Sequence, residues 1–176
     1  MIFHETELDG VVVVELEPVS DERGTFARTF DASEWSERGL SSSVLQASVS
    51  SNPTRGTLRG LHFQEEPHAE SKLVRCSRGA IYDVAVDLRR DSPTFCHWVG
   101  VELTEENGRM LHVAAGLAHG FLTLTDHADV VYQISTAYVP VAARGVRWDD
   151  PAFGIEWPSS PVVMSERDRT FPDFAQ

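Results

Sequence analysis

The sequence predicts an all-β protein with only a few short helices. Turn residues recur at short intervals, and residues that favour strands fill the segments between them. Residues 11–14 are four consecutive valines, followed by Glu15 and Leu16, and residues 80–88 alternate partly between apolar and acidic side chains, as a half-solvated strand does. Many short strands at this spacing are typical of a β-sandwich or a β-barrel.

The predicted elements follow one another along the whole chain. Strands are predicted at residues 11–16, 25–30, 45–51, 56–63, 72–76, 79–88, 97–103, 109–113, 118–125, 129–138 and 145–148. Residues 31–39 predict a short helix that Asp31 or Ser33 would cap. Residues 104–108 predict a turn or a single helical turn, and residues 165–168 a short helix or a turn.

Length and composition favour one cytoplasmic domain covering residues 1–176. Of these residues 41% are hydrophobic, which is enough for a core. No apolar run approaches the roughly 20 residues that span a bilayer. The first five residues lack the basic stretch of a secretory signal. The two cysteines, Cys76 and Cys96, have no CxxC spacing and are predicted to be buried thiols in a reducing compartment.

The net charge of −12 argues against nucleic acid as a partner, because a phosphate backbone attracts basic proteins. An anionic substrate would therefore need a local cluster among the 15 lysines and arginines.

Two of the seven histidines, His62 and His119, lie between glycines and apolar residues, which predicts positions within or at the edge of strands. A histidine in such a place is either a structural residue with its hydrogen bonds satisfied or a functional one. Metal-binding barrels of this size often use a His-x-His pair. His62 is followed by Phe63 and Gln64, so that pair is missing and no metal is predicted.

Acid–base chemistry without a metal requires a base of near-neutral pKa, a carboxylate to orient it, a cation for a developing oxyanion and an acid on the opposite face. The chain contains each of these residue types. The candidates are His62 as the base, Asp83 or Asp168 as its carboxylate, Arg59 and Lys72 as cations, and Tyr132 as the acid.

Several motifs, in a shared order and spacing, resemble those of the dTDP-4-dehydrorhamnose 3,5-epimerase family. They extend over nearly the whole chain. They are DERGTF at 21–26, LRGLHFQ at 58–64, KLVRC at 72–76, DVAVDLR at 83–89, SPTF at 92–95, GLAHGF at 116–121, Tyr132, WDDP at 148–151, GIEWP at 154–158 and SERD at 165–168.

The resemblance implies a cupin-like double-stranded β-helix, or jelly roll, and a homodimer that exchanges N-terminal strands. It implies an isomerase that needs neither metal nor cofactor. Its substrate would be a nucleotide-linked 4-keto-6-deoxy sugar, dTDP-4-dehydro-6-deoxy-D-glucose or a close relative. The enzyme would invert C3, C5 or both, by proton abstraction to an enolate and reprotonation from the opposite face.

The resemblance also assigns catalytic roles. His62 would remove the proton next to the C4 ketone, and Asp168 would stabilise the resulting imidazolium. Lys72 would stabilise the enolate oxygen. Tyr132 would return a proton from the other face.

Further residues are implied for binding. Arg59 would hold the diphosphate, with Gln46 and His119 nearby. Arg23 and Phe26 would reach the nucleotide across the dimer interface.

Some nucleotide-side residues depart from the family pattern. The family usually has Glu where this chain has Arg28, and often Asn where it has Ser48. An acidic run is replaced by residues 141–144, and Gln133 and Ala137 stand where Lys and Tyr are common. At position 28 an arginine offers only hydrogen-bond donors, whereas the imide N–H of thymine requires an acceptor. A GDP- or CDP-linked sugar is therefore an alternative substrate.

The same motifs fit more than one activity. An enzyme that inverts only C3 or only C5, a keto-sugar isomerase and a non-catalytic sugar-binding cupin would each be compatible with them. Tyr138 would either stack on the base or pack in the barrel, and Asp83 would be either a histidine partner or a structural acceptor.

Overall fold

A computed structural model describes residues 1–174 as thirteen strands and two short helices. The strands are β1 (Ile2–Glu5), β2 (Val11–Glu15), β3 (Val19–Asp21), β4 (Gly24–Phe26), β5 (Gln46–Asn52), β6 (Leu58–Gln64), β7 (Lys72–Arg78), β8 (Ala80–Asp87), β9 (Trp98–Thr104), β10 (Met110–Val113), β11 (Leu117–Thr123), β12 (Ala128–Ile134) and β13 (Ala143–Gly145). The helices are α1 (Ala32–Glu37) and α2 (Glu166–Arg169).

Two antiparallel sheets pack face to face as a jelly-roll sandwich. The first has the order β1-β2-β10-β7-β12-β5, and the second has the order β13-β6-β11-β8-β9. Strands β3 and β4 form a separate hairpin. The predicted all-β class with a few short helices is confirmed. No helix among the described residues is long and apolar enough to span a bilayer.

The main core lies between the two sheets. Val74 and Val130 from the first sheet pack with Ile81, Ala85 and Phe121 from the second, and all five are almost fully buried. Alternate residues of each strand face this core, as the period of two in a strand requires. The outer face of the first sheet is covered by α1, and that of the second by the segment around residues 146–157.

The core changes character towards one end of the sandwich. On β7 the inward side chain two residues before Val74 is Lys72. On β12 the inward side chain two residues after Val130 is Tyr132. Both polar side chains line a cavity that opens at this end. The strands that supply the apolar core therefore also supply the candidate site.

Several predicted bounds differ from the structure. The strand predicted at 145–148 is wrong: β13 ends at Gly145, and Val146 forms its last pair of backbone hydrogen bonds with Leu61 before the chain turns. The strand predicted at 129–138 stops at Ile134, and beyond it the amide of Tyr138 donates to the side-chain oxygen of Gln46.

The short strands β1 and β3 were not predicted, and the strand predicted at 25–30 is only Gly24–Phe26. The predicted helices are present. Asp31 caps α1 through its carboxylate, and Ser165 caps α2. Residues 105–107 form a turn.

His112 is 3% exposed because β10 lies between β2 and β7 under the α1 layer, and this burial lowers its pKa to about 4. The burial predicted for both cysteines is confirmed for only one of them. Cys76 is buried as predicted, whereas Cys96 is only half-buried; both are free thiols.

The strands β6 and β11 approach each other unusually closely at Gly60. This residue has φ +135°, and a Cβ added to it would lie 2.5 Å from the Cα of Gly120. The close approach lies beside the position at which His62 and His119 are directly paired across the two strands. Gly60 therefore helps to set the register of the two histidines.

Replacing Gly60 by alanine is expected to lower the free energy of unfolding by about 2 kcal/mol or more, because backbone strain and a backbone clash add. Urea unfolding measures the change. Gly39→Ala is the control: Gly39 also has positive φ but has nothing within 4 Å of the added Cβ. Equal losses in the two variants would contradict the importance of the close approach.

Candidate active site

A cavity of about 420 Å³ opens between the two sheets at the polar end of the core. Residues from both sheets and from α2 line it. They are Gln46, Ser48, Val49, Ser50, Arg59, His62, Phe63, Gln64, Glu70, Lys72, His119, Phe121, Tyr132, Ile134, Thr136, Tyr138, Ala143, Arg144 and Arg167.

His62 and Asp168 form a hydrogen-bonded pair at the wall of the cavity. The Nε2 of His62 lies 2.8 Å from Oδ1 of Asp168, a residue of α2 that is 4% exposed. The other carboxylate oxygen, Oδ2, accepts from the amide of Gly60 at 3.3 Å. The pair fixes the imidazole while His62 itself stays partly accessible from the cavity.

The pKa of Asp168 reflects two opposing effects. Burial alone would raise it, but the hydrogen bond and charge of His62, with the donors of Gly60 and Ser165, hold it below its ordinary value of 3.8. Asp168 is therefore an anion at neutral pH. A histidine paired in this way is suited to accept a proton, since the adjacent carboxylate stabilises the imidazolium.

Lys72 lies beside this pair. Its Nζ donates to the backbone oxygen of His62 at 3.0 Å and lies 3.0 Å from Oε1 of Glu70. Both Lys72 and Glu70 are 9% exposed, so the ammonium group is held in one place within the cavity wall.

A second histidine pair lies deeper. Nε2 of His119 is 2.8 Å from Oδ1 of Asp83, and Asp83 is completely buried. Burial raises the pKa of Asp83, and the charges of His119 and Lys72 only partly oppose this. Of the two carboxylates that the sequence offered as partners of His62, the structure places Asp168 there and Asp83 against His119.

Tyr132 faces these groups from the opposing sheet. Its ring lies 6.1 Å from that of His119, edge to face. Burial, and then the charge of Asp83, raise the pKa of Tyr132 far above its ordinary value, and Arg59 opposes them only weakly. The phenol therefore keeps its proton at neutral pH and is available as a donor.

Arg59, Gln46 and Tyr138 lie at the more exposed part of the cavity. The Nε of Arg59 donates to Oδ1 of Asn52 at 2.8 Å, which leaves its other guanidinium nitrogens for a ligand. Gln46 accepts from the backbone amide of Tyr138 at 3.0 Å, and the Tyr138 ring is 57% exposed.

Comparisons with known proteins agree with this geometry. Residues 5–176 match the family model described as dTDP-4-dehydrorhamnose 3,5-epimerase. The enzyme of that name from Methanothermobacter thermautotrophicus is 45% identical over 96% of this chain and 92% of its own. The chain belongs to the dTDP-4-dehydrorhamnose 3,5-epimerase family.

Solved structures extend the comparison. The Bacillus anthracis dTDP-4-dehydrorhamnose 3,5-epimerase, crystallised with TDP and PPi, has a TM-score of 0.94 at 39% identity, covering 98% of this chain and 99% of its own. A 3'-monoepimerase from Streptomyces bikiniensis, in complex with dTDP-quinovose, has a TM-score of 0.89 at 36% identity, covering 97% and 86%. The expected cupin-like fold is confirmed.

Arg23 and Phe26, which the resemblance assigned to nucleotide binding, lie outside the cavity lining of this chain, and so does Arg28, at a nucleotide-side position that departs from the family pattern. Arg23 pairs with Asp21 in the exposed β3–β4 hairpin, and the Phe26 ring is 74% exposed. Arg28 pairs with Asp31 at 2.8 Å. Within one epimerase chain these side chains do not join the site.

The charged lining residues Glu70, Arg144 and Arg167 were not predicted as site residues from the sequence, and neither was Asn52, which accepts from Arg59. Glu70 had a usable signal, since it precedes Lys72 by two residues, and Arg167 is next to Asp168. Arg144 pairs with Glu65, and its position became clear only from the pairing of β13 with β6. Among residues 1–174, no three histidine, cysteine or acidic side chains are grouped as metal ligands.

Because the pKa of Asp168 is lowered on folding, its contribution to stability is present above its ordinary value and lost as the pH falls through the folded value. At pH 7, Asp168→Asn is expected to cost about 1–3 kcal/mol of unfolding free energy. The difference from the unsubstituted epimerase should shrink below about pH 4.

Urea unfolding between pH 3 and pH 7 measures this dependence. Glu102→Gln on β9 is the control, since Glu102 is exposed and lies outside the cavity lining. A loss for Asp168→Asn that stays constant over the whole range would contradict a charged role for the carboxylate.

Proposed function

We propose that this protein is an epimerase of a nucleotide-linked 4-keto-6-deoxy sugar that inverts C3, C5 or both. One observation carries the proposal: a carboxylate-paired histidine and a partly buried, neutral tyrosine line the same cavity from opposing sheets. Inversion requires a base and an acid on opposite faces of one carbon.

His62 removes the proton from a carbon next to the ketone. The electron pair of the C–H bond forms a double bond between that carbon and C4, and the carbonyl π electrons move to O4, which gives an enolate. Asp168 stabilises the imidazolium so formed, at 2.8 Å. Lys72 places a fixed ammonium group against the enolate oxygen, and such preorganised charge is a large term in catalysis.

Tyr132 then donates its proton to the opposite face of the same carbon. Since a C–H next to a ketone is a far weaker acid than a phenol, this transfer is favourable despite the raised pKa of Tyr132. Return of the proton by His62 would restore the starting configuration. A keto-sugar isomerase would not require an acid on the opposite face, so Tyr132 favours epimerisation.

Arginine supplies the local positive charge that an anionic substrate needs on a chain of net charge −12. Arg59, Arg144 and Arg167 line the cavity, and guanidinium groups bind phosphate oxygens through paired hydrogen bonds. The names and ligands of the relatives favour dTDP as the carrier. The departures at Arg28, Ser48 and residues 141–144 keep GDP- and CDP-linked sugars as competing candidates.

We further propose that residues 1–176 act as one domain in a cytoplasmic homodimer with exchanged N-terminal strands. Strands β3 and β4 pair only with each other in the described chain, and Val19 and Phe26 are 71% and 74% exposed. Exposed apolar strands of this kind favour pairing with another chain. The exchange would bring Arg23 and Phe26 to the partner's cavity.

Solvent-deuterium exchange tests the reaction. The protein, incubated in D₂O with dTDP-, GDP- and CDP-linked 4-keto-6-deoxy sugars, is expected to incorporate deuterium at C3, C5 or both with inversion, measured by NMR. His62→Ala should lose at least ~10² in rate, the scale of general-base catalysis. Tyr132→Phe should exchange without inverting, because only His62 then returns the deuteron.

The control is His127→Asn, which changes an exposed loop histidine outside the cavity lining. Absence of exchange with all three carriers would refute the epimerase. Normal inversion by Tyr132→Phe would refute the assigned acid.

Mixing of two inactive variants tests the shared site. If Arg23 serves the partner's cavity, a mixed dimer of Arg23→Ala and His62→Ala contains one site with both residues intact. Activity should then reappear after the two variants are unfolded and refolded together. Sedimentation of the unsubstituted protein as a monomer, or a mixture that stays inactive, would contradict the exchanged dimer.

A further inference from the structure

Glu70 lies in the lining of the cavity and has one buried carboxylate oxygen without a partner. The residue is 9% exposed, and its Oε1 lies 3.0 Å from the Nζ of Lys72. Its second oxygen, Oε2, is buried and has no hydrogen-bond donor within residues 1–174. A buried carboxylate oxygen without a donor is costly, so such groups usually have a partner. The position of Glu70 in the cavity lining allows that partner to be a ligand.

Lys72 fixes where the ligand would meet this oxygen. The ammonium group has three N–H bonds. One is directed to Glu70 and one to the backbone oxygen of His62, which leaves one for the ketone oxygen of the sugar. The free oxygen belongs to the same carboxylate group, so it lies close to the ammonium group that would hold O4.

We propose that Glu70 is a specificity-determining residue whose Oε2 accepts a hydrogen bond from the 3-hydroxyl of the sugar. The proposal rests on the proposed function, which places the ketone oxygen at Lys72. In a 4-keto-6-deoxy hexose the two neighbours of the carbonyl carbon differ: C3 bears a hydroxyl and C5 bears a methyl. A hydroxyl satisfies the buried carboxylate oxygen, whereas a methyl leaves it without a donor and prevents its hydration.

Glu70 thereby determines which way round the ring lies. A ring turned over about the carbonyl axis would still place O4 at Lys72, but it would exchange the positions of C3 and C5 relative to His62 and Tyr132. Only one of the two orientations pairs the free oxygen of Glu70. The same carboxylate that holds Lys72 in place therefore selects the orientation of the substrate.

The test compares deuterium exchange next to the ketone for three substrates: the parent 4-keto-6-deoxy nucleotide sugar and its 2-deoxy and 3-deoxy analogues. With the unsubstituted protein, the 3-deoxy analogue should show kcat/KM reduced about 10- to 100-fold, the range for a hydrogen bond to a charged group. The 2-deoxy analogue should change by less than about 3-fold, since the 2-hydroxyl is remote from Glu70.

Glu70→Gln is the informative variant. Its amide oxygen can still face Lys72, and its NH₂ group can then only donate to the oxygen of the 3-hydroxyl, which gives a neutral hydrogen bond in place of a charge-assisted one. The penalty for the 3-deoxy analogue should therefore shrink in this variant, because the parent loses most of its advantage. In each protein, kcat/KM for the parent is divided by kcat/KM for the 3-deoxy analogue, and this ratio is compared between the proteins. The effect of the 3-hydroxyl on C–H acidity is the same in each protein and therefore cancels. Glu102→Gln is the matched control and should discriminate like the unsubstituted protein.

The outcomes separate the hypotheses. Equal rates for the parent and the 3-deoxy analogue in the unsubstituted protein would overturn the role of Glu70, and this arm does not depend on any variant folding. Unchanged discrimination in Glu70→Gln, with a thermal midpoint that shows a folded protein, would overturn it as well. Absence of exchange with every substrate in the unsubstituted protein would instead refute the proposed function, and the role of Glu70 with it.

Discussion

Burial of ionisable side chains between the two sheets is the constraint on which the site depends. A charge removed from water is costly unless a partner compensates it, and removal of only one partner leaves the other uncompensated. The structure satisfies this requirement by pairing. The pairs are His62 with Asp168, His119 with Asp83, and Lys72 with Glu70. The first two pairs join separate elements of the fold, so the chemistry of the cavity depends on how those elements pack.

Strand register carries this dependence. A slip of one residue would turn every side chain of a strand to the other face. In β7 that slip would exchange the inward Lys72 for Leu73, which packs on the outer face. The apolar residues further along the same strands fix the register, since Val74 and Val130 must face the core. The register that buries the apolar residues is therefore the same register that places the charged groups in the cavity.

The sequence was informative where a local pattern decides the structure. The strand at β8 and the cap of α1 by Asp31, one of two candidates, are local properties, and both are predicted correctly. The half-solvated character expected of β8 is wrong, because Asp83 and Asp87 are fully buried by the elements packed on the strand. Strand β1 is short and is stabilised by pairing with β2, which no local pattern shows. The strand predicted at 145–148 fails because the backbone pairing ends with Val146 and Leu61, and the backbone oxygen of Trp148 accepts from the indole of Trp157.

The residues of the candidate site also differ in how far the local sequence predicts them. His62, Lys72, Tyr132 and Asp168 all belong to recognisable motifs, so their identity could be predicted. The partner of Asp83 could not, because it depends on the pairing of β8 with β11. The spacing of Glu70 from Lys72 could have indicated their pairing, but its unpaired oxygen is a property of packing and not of residue type.

The arginines that line the cavity also affect how a substrate arrives. On a chain with net charge −12, a diphosphate ester meets a repulsive field at long range and an attractive one only near Arg59, Arg144 and Arg167. At physiological ionic strength the Debye length is about 8 Å, so the distant acidic surface is largely screened while contacts at the arginines persist. Dissolved salt therefore shortens the reach of the repulsion, and diffusional encounter should be slowest in very dilute buffer.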